Sequence, residues 1–212
     1  MKITVLAFMM LAFFNQCNSL GKEKEEKSTD STQTDTVLTK NQLQEEEQET
    51  SFQEFAAAFV KKVNAENLFN FISKDYGLFI LHNPGAFPVI QRYDKKEDMQ
   101  KVLYREAFST KFVPQEGSIP AFSCDEEGWN KMGCFWKKDI YANIKGTYDI
   151  MLEYQLMEKD ELNEEDYTKA EELSKQQTYC LYATDIVTGF YFINIDNQYY
   201  LYLIDVIDPC SA

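Results

Sequence analysis

Apolar and polar positions are patterned most clearly between Gly189 and Pro209, where the chain reads GFYFINIDNQYYLYLIDVIDP. Two runs of Tyr, Phe, Ile and Leu flank Asp196-Asn197, a pair that tolerates the positive φ angles of a tight hairpin turn. A two-residue loop pairs Ile195 with Gln198, Ile193 with Tyr200 and Phe192 with Leu201. Strict alternation then puts Phe190, Phe192, Leu201 and Leu203 on one face, and Tyr191, Ile193, Tyr200, Tyr202 and Ile204 on the other. Both faces are apolar, so the pattern predicts an interior hairpin, covered by helices on one side and at least partly covered on the other.

Upstream, Phe52, Phe55, Phe59 and Val63 form a helical stripe opened by a Ser51/Glu54 capping box. Asn64 can cap a second helix carrying Leu68, Phe69, Phe71 and Ile72, which Gly77 ends. Residues 77–82 are a continuous apolar run and a predicted buried strand. Asn83-Pro84-Gly85 signals a type II turn, and Val89 to Tyr93 can return as the paired strand. Asp94 and Glu97 repeat the capping pattern before a helix to about Phe108, with Met99, Val102 and Leu103 inward. Residues 109–138 read as an irregular loop containing Cys124, Trp129, Cys134 and Trp136. Residues 140–158 fit a helix through Ile140, Ile144, Tyr148, Leu152 and Leu156, and a strand equally well; Met, Leu, Glu, Gln and Lys favour the helix. Asn163 caps a clearer helix over 164–177, with Glu164, Glu165 and Asp166 suiting the positive end of its dipole. Residues 179–184 are a strand. The expected fold class is α+β: an antiparallel sheet ending in the long hairpin and packed against several helices.

Composition divides the 212 residues into three parts. Residues 1–17 read as a signal, 18–50 are polar and acidic without an aromatic, and 51–212 suit one domain, which can bury roughly 70% of its unfolded surface. Residues 18–50 have no apolar period and are expected to be a disordered tether. The net charge of −14 and the lack of a basic stripe argue against nucleic acid, whose phosphates demand Lys and Arg. The same charge is repelled by anionic headgroups, so attachment to a membrane must come from lipid.

Lys2 followed by an apolar run from Ile3 to Phe14 suits a secretory signal, being too short to span a bilayer. Cys17 follows. This segment resembles the signal of Bacteroidetes-type bacterial lipoproteins. Phe14, Asn15 and Gln16 stand where the usual pattern has Leu and two small residues, a looser version that Bacteroidetes lipoproteins share. The resemblance implies lipidation at Cys17, with a location in the periplasm or at the outer membrane or cell surface. Cleavage after Ser19 and soluble secretion is the alternative. The C-terminal hairpin looks like the ending of uncharacterised secreted Bacteroidetes proteins and faintly like the last hairpin of NTF2-like domains; neither resemblance carries a catalytic residue.

The sequence contains no phosphate-binding glycine loop, no Gly-x-Ser-x-Gly, no His-Glu-x-x-His and no Cys-x-x-Cys. His82 is the one histidine, which excludes a multi-histidine metal site within one chain. It ends an apolar strand, where a structural role or that of a general base is open. Asp125-Glu126-Glu127 and Glu164-Glu165-Asp166 lack the alternate-position spacing of a calcium loop. Neither a metal nor a cofactor is expected. Trp129 and Trp136, in the irregular loop, are the candidate binding residues; Trp136 can equally close the core beside Cys134.

An exported chain meets an oxidising compartment, so Cys124, Cys134, Cys180 and Cys210 are expected to form two disulfides. In a simple meander Cys180 lies beside Ile193, in the row of Tyr200, and Cys210 lies roughly 33 Å further along at strand rise. That separation disfavours Cys180–Cys210 and its complement Cys124–Cys134. The segment from Cys124 to Cys134, laid antiparallel to the Cys180 strand, gives Cys124–Cys210 and Cys134–Cys180. The function expected is a non-catalytic binding or structural module of the cell envelope. The alternatives are an acidic inhibitor or immunity-type protein for a basic partner, and a hydrolase of envelope glycan using His82 or a pair of carboxylates.

Overall fold

A computed structural model describes residues 40–84, 87–103, 108–207 and 209–210, with side chains from Ser51 onward. Cys17 and Gly85, the positive-φ residue of the expected type II turn, lie outside the described residues.

The Asp196-Asn197 turn is what the residue types dictate: both residues take positive φ, 51° and 62°, and the Asn194 side chain accepts a hydrogen bond from the Asn197 N–H. The turn joins β8 (Thr188–Ile195) to β9 (Gln198–Asp205). The pairs Ile195–Gln198, Ile193–Tyr200 and Phe192–Leu201 form as expected. Beyond them the register shifts, and Tyr191 pairs with Leu203 rather than Tyr202. Tyr202 is the extra residue of a β-bulge, which restarts the alternation one residue late. Ile204 therefore joins Phe190 and Phe192 on one face, and Leu203 joins Tyr191 and Ile193 on the other. This exchanges the expected faces of Leu203 and Ile204.

The hairpin sits inside a seven-stranded sheet. Its other members are β1 (Leu78–His82), β2 (Val89–Tyr93), β3 (Pro114–Glu116), β6 (Cys134–Lys138) and β7 (Thr178–Ala183), in the order β2-β1-β9-β8-β7-β6-β3. The β1–β9 and β3–β6 pairs are parallel and the others antiparallel. A second, two-stranded hairpin, β4 (Phe122–Ser123) with β5 (Gly128–Trp129), does not pair with the strands of that sheet. The segment 109–138 is thus more ordered than expected. Cys134 and Trp136 alternate inward on β6 and put that strand into the core.

One face of the sheet is covered by helix α1 (Lys40–Lys62) and by α2 (Lys96–Leu103). Phe52 is the hub, stacked on Tyr179 at 4.4 Å between ring centroids and edge-on to Trp136 at 5.1 Å and Tyr199 at 5.0 Å. Phe59 packs edge-on against Phe190 and Phe192. The helix begins at Lys40 rather than Ser51, so residues 40–50 of the expected tether are helical. They are rich in Glu, Gln and Lys, which favour helix without needing an apolar stripe. The second expected helix shrinks to a 3₁₀ turn, Leu68–Phe71, because Ile72 bridges to Leu201 in the sheet. The Asn64 side chain does not cap it: it accepts from the N–H groups of Glu66 and Asn67 in the turn just before, and the residue at the N-cap is Asn67, without a side-chain cap bond. In α2, Met99 and Leu103 are buried, but Val102 faces out.

The opposite face is covered by α3 (Ile144–Glu153) and α4 (Glu164–Leu173). The ambiguous stretch resolves as helix, with Ile144, Thr147, Tyr148 and Met151 buried. Leu156, expected on the stripe, lies past its end and is exposed. Asn143 and Asn163 cap the two helices through their side-chain oxygens. The buried Arg92 of β2 ties α4 to the sheet, donating to Asp166 at 2.8 Å and to the Tyr76 carbonyl at 2.6 Å. Gly77 takes φ +70° just before β1, where a Cβ would stand 2.8 Å from the Tyr93 carbonyl oxygen; only glycine fits both conditions. Among the described residues no helix is long and apolar enough to cross a membrane.

Candidate functional site

The residues singled out by sequence do not converge. Trp136 is 2% exposed, and its indole N–H donates to the Gln53 side-chain oxygen. It belongs to the core under α1 and offers no binding surface, a correction to its candidacy. Trp129 is half-buried on the β4–β5 hairpin, edge-on to Phe122 and tilted against Tyr182. Asp125, Glu126 and Glu127 form the exposed turn of the same hairpin. Among the described residues no group of three or more His, Cys, Asp and Glu side chains could hold a metal.

Cys124 and Cys210 are bonded, with Cα atoms 5.7 Å apart. Cys134 and Cys180 are free and buried, so the second expected disulfide is absent. Two facts of register forbid it. Cys134 pairs with Ala183 and Cys180 with Lys137, three positions away along the ladder. An odd offset also puts the two thiols on opposite faces, Cys134 beside Trp136 and Cys180 facing the α3 side. The expected register was wrong by two residues, since Cys180 lies beside Tyr191 and not Ile193. Burial is the main cause that pushes both thiols up to about 12.

His82 ends β1 on the α1–α2 face, since Leu78 and Ile80 alternate with it on that side. Its Nδ1 is buried and finds no partner among the described residues. The carboxylate that burial perturbs most clearly is on the other side of the sheet.

That carboxylate is Asp205, a lone acid in the apolar run of β9. It lines a cleft of about 230 Å³ between the sheet and the start of α3. Leu81, Ile90 and Leu203 form the sheet wall, Ile144 and Thr147 the helix wall, and Tyr141 stands at the mouth, 62% exposed. Gly189 sits directly opposite Asp205. A Cβ at Gly189 would lie 3.2 Å from the rings of both Tyr182 and Tyr191 and 3.5 Å from the Asp205 Cβ, so its absence leaves room for both rings. Burial raises the Asp205 pKa above the ordinary carboxyl value, partly offset by the Ile207 N–H, which donates to Oδ1 at 3.0 Å. Burial first, then the neighbouring Cys180 and Asp205, raise the Tyr191 hydroxyl. Asn143 and Thr147 also line the cleft, but their side chains already serve the helix: Asn143 accepts from the Gly146 N–H and Thr147 donates to the Asn143 carbonyl. Asp205 is therefore the charged group in the cleft, and no cation among the described residues pairs with it.

Sequence reasoning missed Asp205, Tyr191 and Tyr141. The signal for the first was available: an aspartate following Tyr-Leu-Tyr-Leu-Ile is either at a strand end in water or held where a strand enters a site. No family model matches the chain, and no curated protein or solved structure gives a significant match.

Proposed function

We propose that this chain is a non-catalytic binding module of the cell envelope, exported and held there by lipid at Cys17, with the Asp205 cleft as its ligand site. The observation that carries the reading is a half-enclosed cleft with aliphatic side chains on both walls and one charged group, the partly buried carboxylate of Asp205. Concave, largely apolar sites with a few placed polar groups are where small ligands bind. Acid–base chemistry gains no support from the geometry, because His82 and Asp205 face opposite sides of the sheet, and a catalytic pair must share reach of one substrate.

The net charge of −14 supports a second reading, an acidic protein that captures a basic partner through its surface, with fast and salt-sensitive association. One experiment separates these readings. Ala142 also lines the cleft; the full chain and its cleft-filling variant Ala142→Phe are immobilised and exposed to envelope extract at low and high salt. A small molecule retained by the wild type and lost by the variant supports the cleft module. A basic protein retained equally by both and released by salt supports the second reading and overturns the first. Retained glycan that shortens with time overturns the non-catalytic reading.

A further inference from the structure

The chemistry of the cleft selects among ligands, and this step rests on the reading of the cleft as a binding site. We infer that the cleft takes a small protonated amine with a compact apolar body, its ammonium group on Asp205 and its body against Leu81, Ile90, Ile144 and Leu203.

Four observations lead there. First, Asp205 lines the cleft without a cation beside it among the described residues, and only one of its oxygens has an assigned donor, the Ile207 N–H. An ionised carboxylate offers about four acceptor sites, so it can accept N–H donors from a ligand. A charge-assisted bond of that kind is roughly twice as strong as a neutral one. Second, Tyr141 and Tyr191 line the cleft together with the carboxylate. Aromatic faces attract an ammonium and do nothing comparable for an anion. Third, the rest of the wall is aliphatic, and the Asn143 side-chain oxygen and the Thr147 hydroxyl are engaged in the helix. A bare metal ion needs six or more oxygens and would leave that apolar surface unused; an organic cation uses both. Fourth, the volume of about 230 Å³ falls below the range of about 300–1,000 Å³ typical of drug-sized ligands. This sets the ligand at the size of a simple amine. An anionic ligand is disfavoured twice, by Asp205 itself and by a chain of net charge −14.

The test titrates the full chain with three probes of one shape: phenethylammonium, 2-phenylethanol and phenylacetate. Binding is read by calorimetry and by amide NMR shifts of residues 141–147 and 203–206. Phenethylammonium is expected to shift those amides and to bind at least tenfold more tightly than the alcohol, with phenylacetate weaker still. Asp205→Asn, the near-isosteric neutral change, is expected to weaken the amine at least tenfold and leave the alcohol unchanged. If the alcohol binds as tightly as the amine, or Asp205→Asn binds the amine as well as wild type, the choice of a cation is wrong while the cleft remains a binding site. If no probe shifts the cleft amides, both the inference and the cleft reading fall. Should Asp205→Asn not fold, the three-probe comparison on the wild type decides alone.

Discussion

The Cys124–Cys210 crosslink allows a stability change to be worked from the structure. It closes a loop of 86 residues, from the β4–β5 hairpin through α3, α4 and four strands of the sheet to the C-terminal turn. For a loop of that length the chain-entropy estimate is about 15 cal/mol/K taken from the unfolded state, or about 4.6 kcal/mol at 25 °C. Measured values for native disulfides fall mostly at about 2–4 kcal/mol, and both cysteines are exposed, so little packing is lost with them. Replacing both by alanine should cost between about 2 and 4.6 kcal/mol, a large share of the roughly 5–15 kcal/mol a domain has. Urea unfolding followed by Trp136, buried in the core, measures it. The dependence on urea should also steepen, because an uncrosslinked unfolded chain exposes more surface. A loss under about 0.5 kcal/mol with an unchanged slope, in protein whose Cys124–Cys210 peptide has been mapped by mass, would refute the account.

Phe52→Ala empties the centre of the α1 core and should cost about 3–5 kcal/mol, read by the same unfolding curve; a loss near 1 kcal/mol would mean the aromatic cluster closes over the gap. Cys134 and Cys180 should resist alkylation in the native protein at pH 8 and react once it is unfolded in urea, since burial holds both thiols at about 12; fast native labelling of either refutes its placement. Asp205 has a folded pKa raised by burial, so its contribution to stability is present below the ordinary aspartate range of about 3.9 and is lost as pH rises through the folded value. Asp205→Asn should therefore be more stable relative to wild type at pH 7 than at pH 4; a gap that stays constant or reverses between those two urea midpoints contradicts the burial of that carboxylate.

Much of this fold is written in local pattern. The hairpin turn follows from Asp196-Asn197, the helix starts at Asn143 and Asn163 from side-chain capping, and β1 from an unbroken apolar run after a glycine that must take positive φ. What local pattern does not carry is the relation between distant segments. The parallel pairing of Pro114–Glu116 with β6 joins a three-residue strand to a partner whose alternation is visible only once Trp136 is known to be inside. The register of β7 on β8 depends on a tight connection from Thr184 to Val187 that no Gly or Pro marks, and a two-residue error there was enough to misplace Cys180. The correct pairing of Cys124 with Cys210 was reached through a false register. The segment from Cys124 to Cys134 folds into its own hairpin and does not run extended beside Cys180.

The bulge at Tyr202 decides where the candidate site can be. In an unbroken alternation Asp205 would share the face of Leu201 and Leu203, and that face packs under α1. A carboxylate there would sit among the residues under α1, Phe190 and Ile80 among them, without water, at a cost of several kcal/mol unless it stayed protonated. One extra residue turns Asp205 to the opposite face, opposite Gly189, where the start of α3 leaves open volume. The same residue brings Leu203 level with Phe79 and Ile204 level with Ile80, so the bulged strand docks on β1 with both cores intact. The sequence conceals this shift because Tyr-Leu-Tyr-Leu-Ile is apolar at every position and reads equally well in either phase. Bulges occur where a side chain is re-aimed beside a site. Here the re-aimed side chain is the acid of the cleft, and Tyr191, which lines the cleft with it, follows from the same register.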